Sequence, residues 1–500
     1  MFDPGQVTLE ELLAPARPPE VLITAITAAA RRENQQAAAR LTAIGELYAQ
    51  RMVQRPETAQ WVLDCEHAVT AEVAAVLKIS HGAAAIQVRH ARGLRERLPA
   101  IAAVFRAGEL TMTVVDAVLH RTELIVDPQI LARVDAQLAA AAPRLVTLSD
   151  GALSRHVDRV IARLDPDAVR RRKKAADRRT VEIIDYLDGI SDVHATLHTP
   201  SAHALDARLN ALAATVCPAD PRTRKQRRAD ALAALGTGAD RLPCHCENPD
   251  CPHSAAIASP FLIHVITGPD PAPAPAGGAD SGEDAEPVAA LIGHDGLLPP
   301  EQLTQIAEHA NHRPVIHPGD APPETGYTPS RALAEFIRCR DLTCRFPGCH
   351  TPATTTDIDH TVPYADGGPT PAANLKALCR LHHLLKTFWG WKDQQLQDGT
   401  VIWTSPADHT YVTTPGSALL FPTLCTPTAP VELHQRHDNR CRDRTAMMPK
   451  RSRTRAQNRA ARIAAERDAN HHARTQQRHR VHPYFTPSPP PPPRDDPPPF

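Results

Sequence analysis

Alanine, leucine and valine recur at three- and four-residue steps, with arginine and glutamate between them, through Val21–Tyr48, Thr70–Leu98, Ile101–His120 and Asp127–Ala141. That period lines up apolar side chains on one face of a helix, so this part of the chain predicts a bundle of packed amphipathic helices. The period then shortens to two. Val181–Ile184 and Val193–Leu197 flank Asp188-Gly189, a turn pair that predicts a β-hairpin, and another helix is expected from Ala202. Phe261–Ile266 reads as a buried strand, whereas Gly268–Pro287, rich in Pro, Ala, Gly and acid, has too few apolar side chains to pack and reads as a flexible linker. Beyond it, Thr328-Pro329 resembles a helix start before an apolar stripe of Ala332, Leu333, Phe336 and Ile337. The β-branched run Thr354–Asp359 suits a short strand, and Val401–Trp403 with Thr410–Val412 predicts a closing hairpin. After Arg436 the arginines thicken and then give way to prolines, including Pro489–Pro493. This end reads as a disordered, solvated arm, with a basic helix over Arg451–Arg467 that docks on a phosphate backbone as the alternative.

The expected fold is mainly α with small α+β parts, and its segments follow these changes of pattern. A helical and α+β domain spans residues 20–268, a linker 269–287, a connecting segment 288–325, a second domain 326–420, and a basic, proline-rich tail 430–500.

Composition narrows the function classes. Lys+Arg and Asp+Glu are both 56, a zero net charge that argues against a nucleic-acid coat protein while hiding a basic tail and a more acidic remainder. No apolar run approaches a membrane span, and Met1-Phe2-Asp3-Pro4 lacks the basic-then-hydrophobic start of a signal peptide, so a cytoplasmic location away from membranes is expected. In that setting 11 cysteines favour metal sites or reduced thiols over disulfides. The basic runs Arg170–Lys174 and Arg222–Arg228 read as solvated helix faces, with nucleic-acid contact as the minor reading.

Chemistry concentrates between Cys344 and Lys386. Cys344 and Cys349 flank Arg-Phe-Pro-Gly, whose Pro347-Gly348 turn brings both sulfurs to one side, and Cys379 and His382 are spaced to point together. These four make a Cys3His set suited to a structural Zn²⁺. A Cys339-Cys344 pair has the same spacing as Cys344-Cys349 but lacks the turn, so Cys339 reads as a small buried hydrophobe at a helix end. The residues left over suit phosphodiester hydrolysis. His360, at a strand end, is a candidate to take a proton from water. Asp359 offers a hard oxygen to a divalent cation, and His383, turned about a hundred degrees from His382 around the helix, offers an imidazole to the same ion. Arg338, Arg340, Arg345, Lys376, Arg380 and Lys386 make the stretch basic, as a polyanionic substrate requires. A second cluster, Cys244, Cys246, Cys251 and His253, either closes on another zinc around the Asn248-Pro249 turn or is a loop of free thiols.

The segment resembles the HNH nuclease module, a ββα-metal finger. Its pattern is matched here by Cys344, Cys349, Asp359-His360-Thr361-Val362-Pro363, Gly367-Gly368, Asn374-Leu375, Cys379, His382-His383 and Lys386. The resemblance implies an endonuclease acting on double-stranded DNA through one catalytic divalent cation, Mg²⁺, Mn²⁺, Ni²⁺ or Zn²⁺. It makes His360 the general base, places the cation on Asp359 and His383, and gives Asn374 the task of fixing the loop, or in some relatives of joining the metal shell. Asp357 would be an outer-shell group or a loop clamp. Over most of residues 20–420 the chain is similar to actinobacterial HNH-signature proteins with an N-terminal domain of unknown function, including the mycobacterial thirteen-E-twelve repeat family. That likeness rests on Asp220-Pro221-Arg222-Thr223, Gln226–Leu232, Tyr327-Thr328-Pro329-Ser330 and Cys344–Cys349. The competing expectation is a zinc-stabilised DNA-binding protein of a mobile or repeated element that keeps the scaffold but has negligible turnover.

Overall fold

A computed structural model describes residues 18–170, 179–186, 190–253, 262–266, 289–290, 297–298, 303, 306–307, 310–431 and 448–481. The linker over Gly268–Pro287 and the prolines at 489–493 lie outside the described residues. The fold is mainly helical with small sheets, and it divides into two units. Residues up to 73, 82–172 and 448 onward form one, and residues 74–81 and 173–447 the other. The division at residue 172 differs from the expected boundary at 268.

The first unit opens with α1 (Pro19–Gln54), α2 (Cys65–Leu77, which passes into the second unit from Ala74), α3 (His81–Glu96, in the first unit from Gly82), α4 (Pro99–Arg106), α5 (Met112–Thr122), α6 (Pro128–Ala140), the single turn α7 (Ala142–Leu145) and α8 (Asp150–Leu164). Two stretches that read as single helices are each two. Thr70–Leu98 breaks at Lys78, whose φ of 53° is left-handed, and Ile101–His120 breaks at Gly108, where φ is 81°. Gly108 is required there because a Cβ would lie 2.6 Å from the Arg31 carbonyl oxygen. The new ends are capped. Asp135, a buried carboxylate, accepts from Ala100 N at 2.7 Å and Ile101 N at 3.0 Å, supplying α4 with the cap that Leu98 cannot. Asp127 does the same for α6, ahead of Pro128 at the first helical position. Leu98, Ile101, Phe105, Val115, Val134, Leu138, Val157 and Ile161 are buried in this unit. Fully burying one such side chain contributes about 1.5–3 kcal/mol.

The second unit holds the predicted hairpin, β1 (Thr180–Asp185) antiparallel to β2 (Ser191–Thr196), followed by α9 (Thr199–Ala213) and α10 (Arg224–Gly236). The predicted strand at Phe261–Ile266 appears as β3 (Leu262–Ile266), but Leu262 and Val265 are exposed, so it is not a buried strand. After the two-residue strands β4 (Ala289–Ala290) and β5 (Leu297–Leu298), β6 (Asn311–Val315) pairs with β3 in parallel. Helix α11 (Arg331–Asp341) starts two residues later than expected because Ser330, not Thr328, caps it through Leu333 N. Its Leu333, Phe336 and Ile337 stripe packs with Val315, Leu375 and Leu424. Then come β7 (Asp357–His360), β8 (Leu375–Leu378) and α12 (Arg380–Phe388). The β7 strand is shorter than its β-branched run, since Thr355 and Thr356 hydroxyls donate back to Pro352 O and Ala353 O and hold a turn. A three-stranded sheet closes the unit, with β10 (Val401–Thr404) between β9 (Lys392–Gln395) and β11 (Thr410–Thr413); its β10–β11 hairpin is the one predicted.

The tail overturns an expectation. Residues 455–481 form α13 (Arg455–Val481), which belongs to the first unit rather than to a disordered arm. Its arginines meet carboxylates: Arg455 with Asp64 at 2.9 Å and Glu66 at 3.0 Å, Arg462 with Glu123 at 2.7 Å, Arg467 with Asp165 at 2.7 Å and Arg474 with Asp167 at 2.7 Å. Arg451 N donates to Gln60 O, and buried Asn470 bridges the carbonyls of Asp167 and Val169. Basic spacing alone does not reveal these partners, because the acids lie hundreds of residues away along the chain. Among the described residues, no single helix is long and apolar enough to cross a membrane.

Burial of Asp64 favours its neutral form, but hydrogen bonds from His67 and Arg455 outweigh this and hold its carboxyl well below the usual range. A depressed pKa contributes stability above the unfolded value of about 3.9 and loses it as pH falls. Protection of the amides of residues 455–470, taken relative to their intrinsic exchange rate at each pH, is therefore expected to be high at pH 7 and to fall below about pH 4. Asp64→Asn should lower that protection at pH 7 already, with a stability loss of about 2 kcal/mol.

Candidate metal centre and active site

Helix α11 is tied to β8 by its last two residues. The buried Arg340 guanidinium donates to Leu375 O at 2.7 Å, Ala372 O at 3.1 Å and Asp341 at 2.8 Å, while Asp341 accepts from Ala377 N at 2.8 Å. From this anchor the chain enters the cysteine turn. Cys344 N donates to Thr351 O at 2.8 Å and Cys349 N to Phe346 O at 3.1 Å. Gly348 has a φ of 73°, and a Cβ there would lie 2.8 Å from Ile79 O, so the turn and the close approach both require glycine. Phe346 stacks on the His382 ring at 3.9 Å with an interplanar angle of 6°.

The ligand atoms of Cys344, Cys349, Cys379 and His382 all lie within 4.8 Å of one another. Nδ1 of His382 is 3.2 Å from Cys379 Sγ and 3.6 Å from Cys344 Sγ. Cys339 stays outside, in the apolar cluster of α11, where burial pushes its thiol up to about 12. The second cluster differs from its expected membership. Cys217, Cys244, Cys246 and Cys251 converge within 4.8 Å, and exposed His253 is not among them. Sequence spacing missed Cys217 because it lies after α9, on the far side of α10 from the other three. Both clusters can hold a structural metal ion such as zinc.

Opposite the first cluster, α12 turns His383 toward β7. Its Nε2 lies 3.3 Å from Asp359 Oδ1, and its Nδ1 lies 3.0 Å from Asp357 Oδ2. A carboxylate on the far nitrogen is the usual support for a metal-binding imidazole, and two adjacent donors about 3 Å apart suit one divalent cation. Asp357 is thereby placed to support the His383 ring through its far nitrogen. Asn374 does not reach this pair. Its Oδ1 accepts from Val362 N at 2.8 Å, and its Nδ2 donates to Pro369 O at 2.7 Å and Val362 O at 3.1 Å, so the side chain clamps the loop. Gly368 lets the strands of that loop meet, since a Cβ would lie 1.9 Å from Val362 O.

His360 is buried at the end of β7, and its Nε2 is 3.1 Å from Thr370 Oγ1. The Thr370 hydroxyl donates to Gly326 O at 2.7 Å, so toward His360 it can only accept. Nε2 then carries the proton and Nδ1 is the basic nitrogen. Burial, joined by the charges of Lys376, Lys386 and His383 against the pull of Asp359, brings His360 down to about 4. Tyr327 stacks on its ring at 5.4 Å and is exposed on the molecular surface.

The lysines correct the expected basic face. Lys376 is fully buried, with Nζ 2.9 Å from Asp359 and 2.5 Å from Asp393, and these two carboxylates hold it above its ordinary value despite burial. Lys386 Nζ lies 2.7 Å from Asp359 and 2.6 Å from His360 O, and burial together with the Lys376 charge pushes it down. Burial of Asp359 opposes its ionisation, yet Lys376 and Lys386 bring it down to about 2. Arg340 and Arg345 are also buried, the latter donating to Gly399 O and Thr413 O. Arg380 is exposed, 3.5 Å from Asp357. Most of the predicted phosphate contacts are thus internal supports. Asp393, Thr370 and Cys217 were not legible as site residues, because none stands at a motif spacing from its partners.

Residues 28–341 match the family described as "Domain of unknown function (DUF222)". The chain belongs to the DUF222 family. The match includes the Cys217–Cys251 cluster and ends before Cys344, at the last residue of α11. This DUF222 chain is 44% identical over 467 residues to uncharacterized protein Rv3776 of Mycobacterium tuberculosis, covering 89% of each chain. It is 42% identical over 483 residues to uncharacterized protein Rv2100 of the same organism, covering 90% of this chain and 87% of the relative. No solved structure matches it.

Lys376→Met leaves two buried carboxylates with Lys386 alone, and is expected to lower stability by about 3 kcal/mol in urea unfolding. Arg380→Ala should change it by less than about 0.5 kcal/mol.

Proposed function

We propose that this protein is a metal-dependent endonuclease that hydrolyses DNA phosphodiester bonds, with His360 as general base. The observation that carries the reading is the pairing of roles around β7. Thr370 engages Nε2 of His360 and leaves Nδ1 as the basic nitrogen, while Asp359 Oδ1 and His383 Nε2 stand 3.3 Å apart as donors for one cation. The resemblance of residues 344–386 to the HNH module agrees with this division of labour.

In the proposed reaction, Nδ1 of His360 takes a proton from water as the water oxygen bonds to phosphorus in line with the leaving oxygen. The P–O3′ bond breaks, the 3′-oxygen takes up a proton, and the products are a 5′-phosphate and a 3′-hydroxyl. Asn374 and Gly368 hold the loop that carries Val362 and Pro363 past His360, and Thr370 fixes the ring tautomer. Asp359 and His383 would hold a divalent cation, which supplies charge neutralisation at the phosphoryl group when bound. Structural zinc at Cys344, Cys349, Cys379 and His382 would set the angle of α12, and so the direction of His383.

One observation favours the rival reading, a zinc-stabilised DNA-binding protein with negligible turnover. Lys386 and Lys376 both close on Asp359 Oδ2, so a cation at this carboxylate must share it with two ammonium groups. Nicking of supercoiled plasmid with Mg²⁺, Mn²⁺, Ni²⁺ or Zn²⁺ separates the two. His360→Ala is expected to lower the rate by about 10²–10⁴-fold and Thr370→Val by a smaller factor, with the zinc content of both variants unchanged. Equal cleavage by wild type and His360→Ala removes His360 as the base, and DNA binding without cleavage by wild type establishes the rival.

A further inference from the structure

We infer that Cys217, Cys244, Cys246 and Cys251 form a tetrathiolate zinc site, and that Asp220 and Arg222 are the clamp that brings its ligands together. The site stands apart from the nuclease reading and does not depend on it.

The first support is the sulfur geometry. The four Sγ atoms lie within 4.8 Å of one another, and Cys217 Sγ is 3.4 Å from Cys244 Sγ. A disulfide requires about 2.05 Å. Four sulfurs at about 2.3 Å from a tetrahedral zinc stand about 3.8 Å apart, which is the range seen here. Two of the thiols, Cys244 and Cys251, are buried against Leu212, Val216, Ala231 and Leu242. The ligands come from two separate pieces of chain: Cys217 follows α9, and the other three sit on a loop with no helix or strand after α10. A loop of that kind has no helix or strand ladder to fix it, and a metal is a common substitute.

The second support is a hydrogen-bond network that the nuclease reading leaves without a purpose. The buried Asp220 carboxylate accepts from Arg222 N at 3.0 Å, Arg222 Nη2 at 2.8 Å and His245 N at 3.0 Å. Arg222 also donates to Pro243 O at 2.7 Å and pairs with Asp230 of α10 at 2.7 Å. Pro243 and His245 flank Cys244. One carboxylate and one guanidinium therefore join the Cys217 turn, the thiol loop and α10, which accounts for Asp220-Pro221-Arg222-Thr223 in structural terms. Thr223 adds a capping box with Gln226 at the start of α10. Cys244 N donates to His253 O at 2.8 Å, so His253 closes the loop through its backbone rather than its ring.

Metal analysis of the purified full-length chain tests the assignment. Wild type is expected to carry about two zinc ions per chain, Cys217→Ser about one, and His253→Ala about two. Asp220→Asn should retain both but release one faster to a chelator, as a positioning residue would. Should Cys217→Ser fail to fold, cysteine alkylation of wild type mapped by mass spectrometry gives the answer. Cys217 and Cys246, which are partly exposed, should be protected until the chelator is added. The inference is overturned if Cys217→Ser leaves the zinc content unchanged, or if His253→Ala lowers it. Alkylation of Cys217 at the same rate with and without chelator, a Cys217–Cys244 disulfide, or iron in place of zinc each overturns it as well.

Discussion

Successive residues of an α-helix point about a hundred degrees apart, so His382 and His383 on α12 cannot face the same site. The rest of the centre follows from that constraint. His382 turns toward Cys344, Cys349 and Cys379 beneath the Phe346 ring, and His383 turns toward Asp357 and Asp359 on β7. Whatever fixes the rotation of this one helix fixes both sets of donors at once. Cys379 sits at its N-cap, so the four-ligand cluster holds the helix by its first turn.

Beneath the helix, charge is balanced rather than displayed. Asp359 and Asp393 face Lys376 and Lys386, two carboxylates against two ammonium groups, with Lys376 sealed from solvent. Such a set is weak as a source of stability compared with an apolar core, but removing one member leaves the others buried and unpaired. It also pins Asp359 across the strand pair, because Asp359 and Lys376 are register partners in β7 and β8. Charged residues that sequence composition assigns to a polyanion are here committed to holding one catalytic candidate in place.

The same reversal governs α13 and the arginines around α10, whereas residues 171–174 of the other basic run lie outside the described residues. Arg455, Arg462, Arg467 and Arg474 of α13, and Arg222, Arg224 and Arg228 around α10, are matched by carboxylates or amides in their own unit. A count of positive residues cannot separate a nucleic-acid surface from an internal clamp, since the difference lies in where the acids fall in space.

By itself the sequence determined what depends on neighbours along the chain. The 3.6-residue period announced the helices, Asp188-Gly189 the hairpin, and the Cys344–Lys386 spacings the Cys3His set and the adjacent histidines, while the Asn374 clamp was one of two roles implied by the resemblance to the HNH module. Tertiary structure decided what depends on distant partners. It broke two predicted helices at Lys78 and Gly108, exchanged His253 for Cys217 in the second cluster, buried Lys376 against Asp393, and folded α13 onto the acids of the first unit. Local pattern reports the turn or helix that places two side chains together, whereas these contacts are set by packing between segments far apart in the chain, for which the sequence carries no spacing to read.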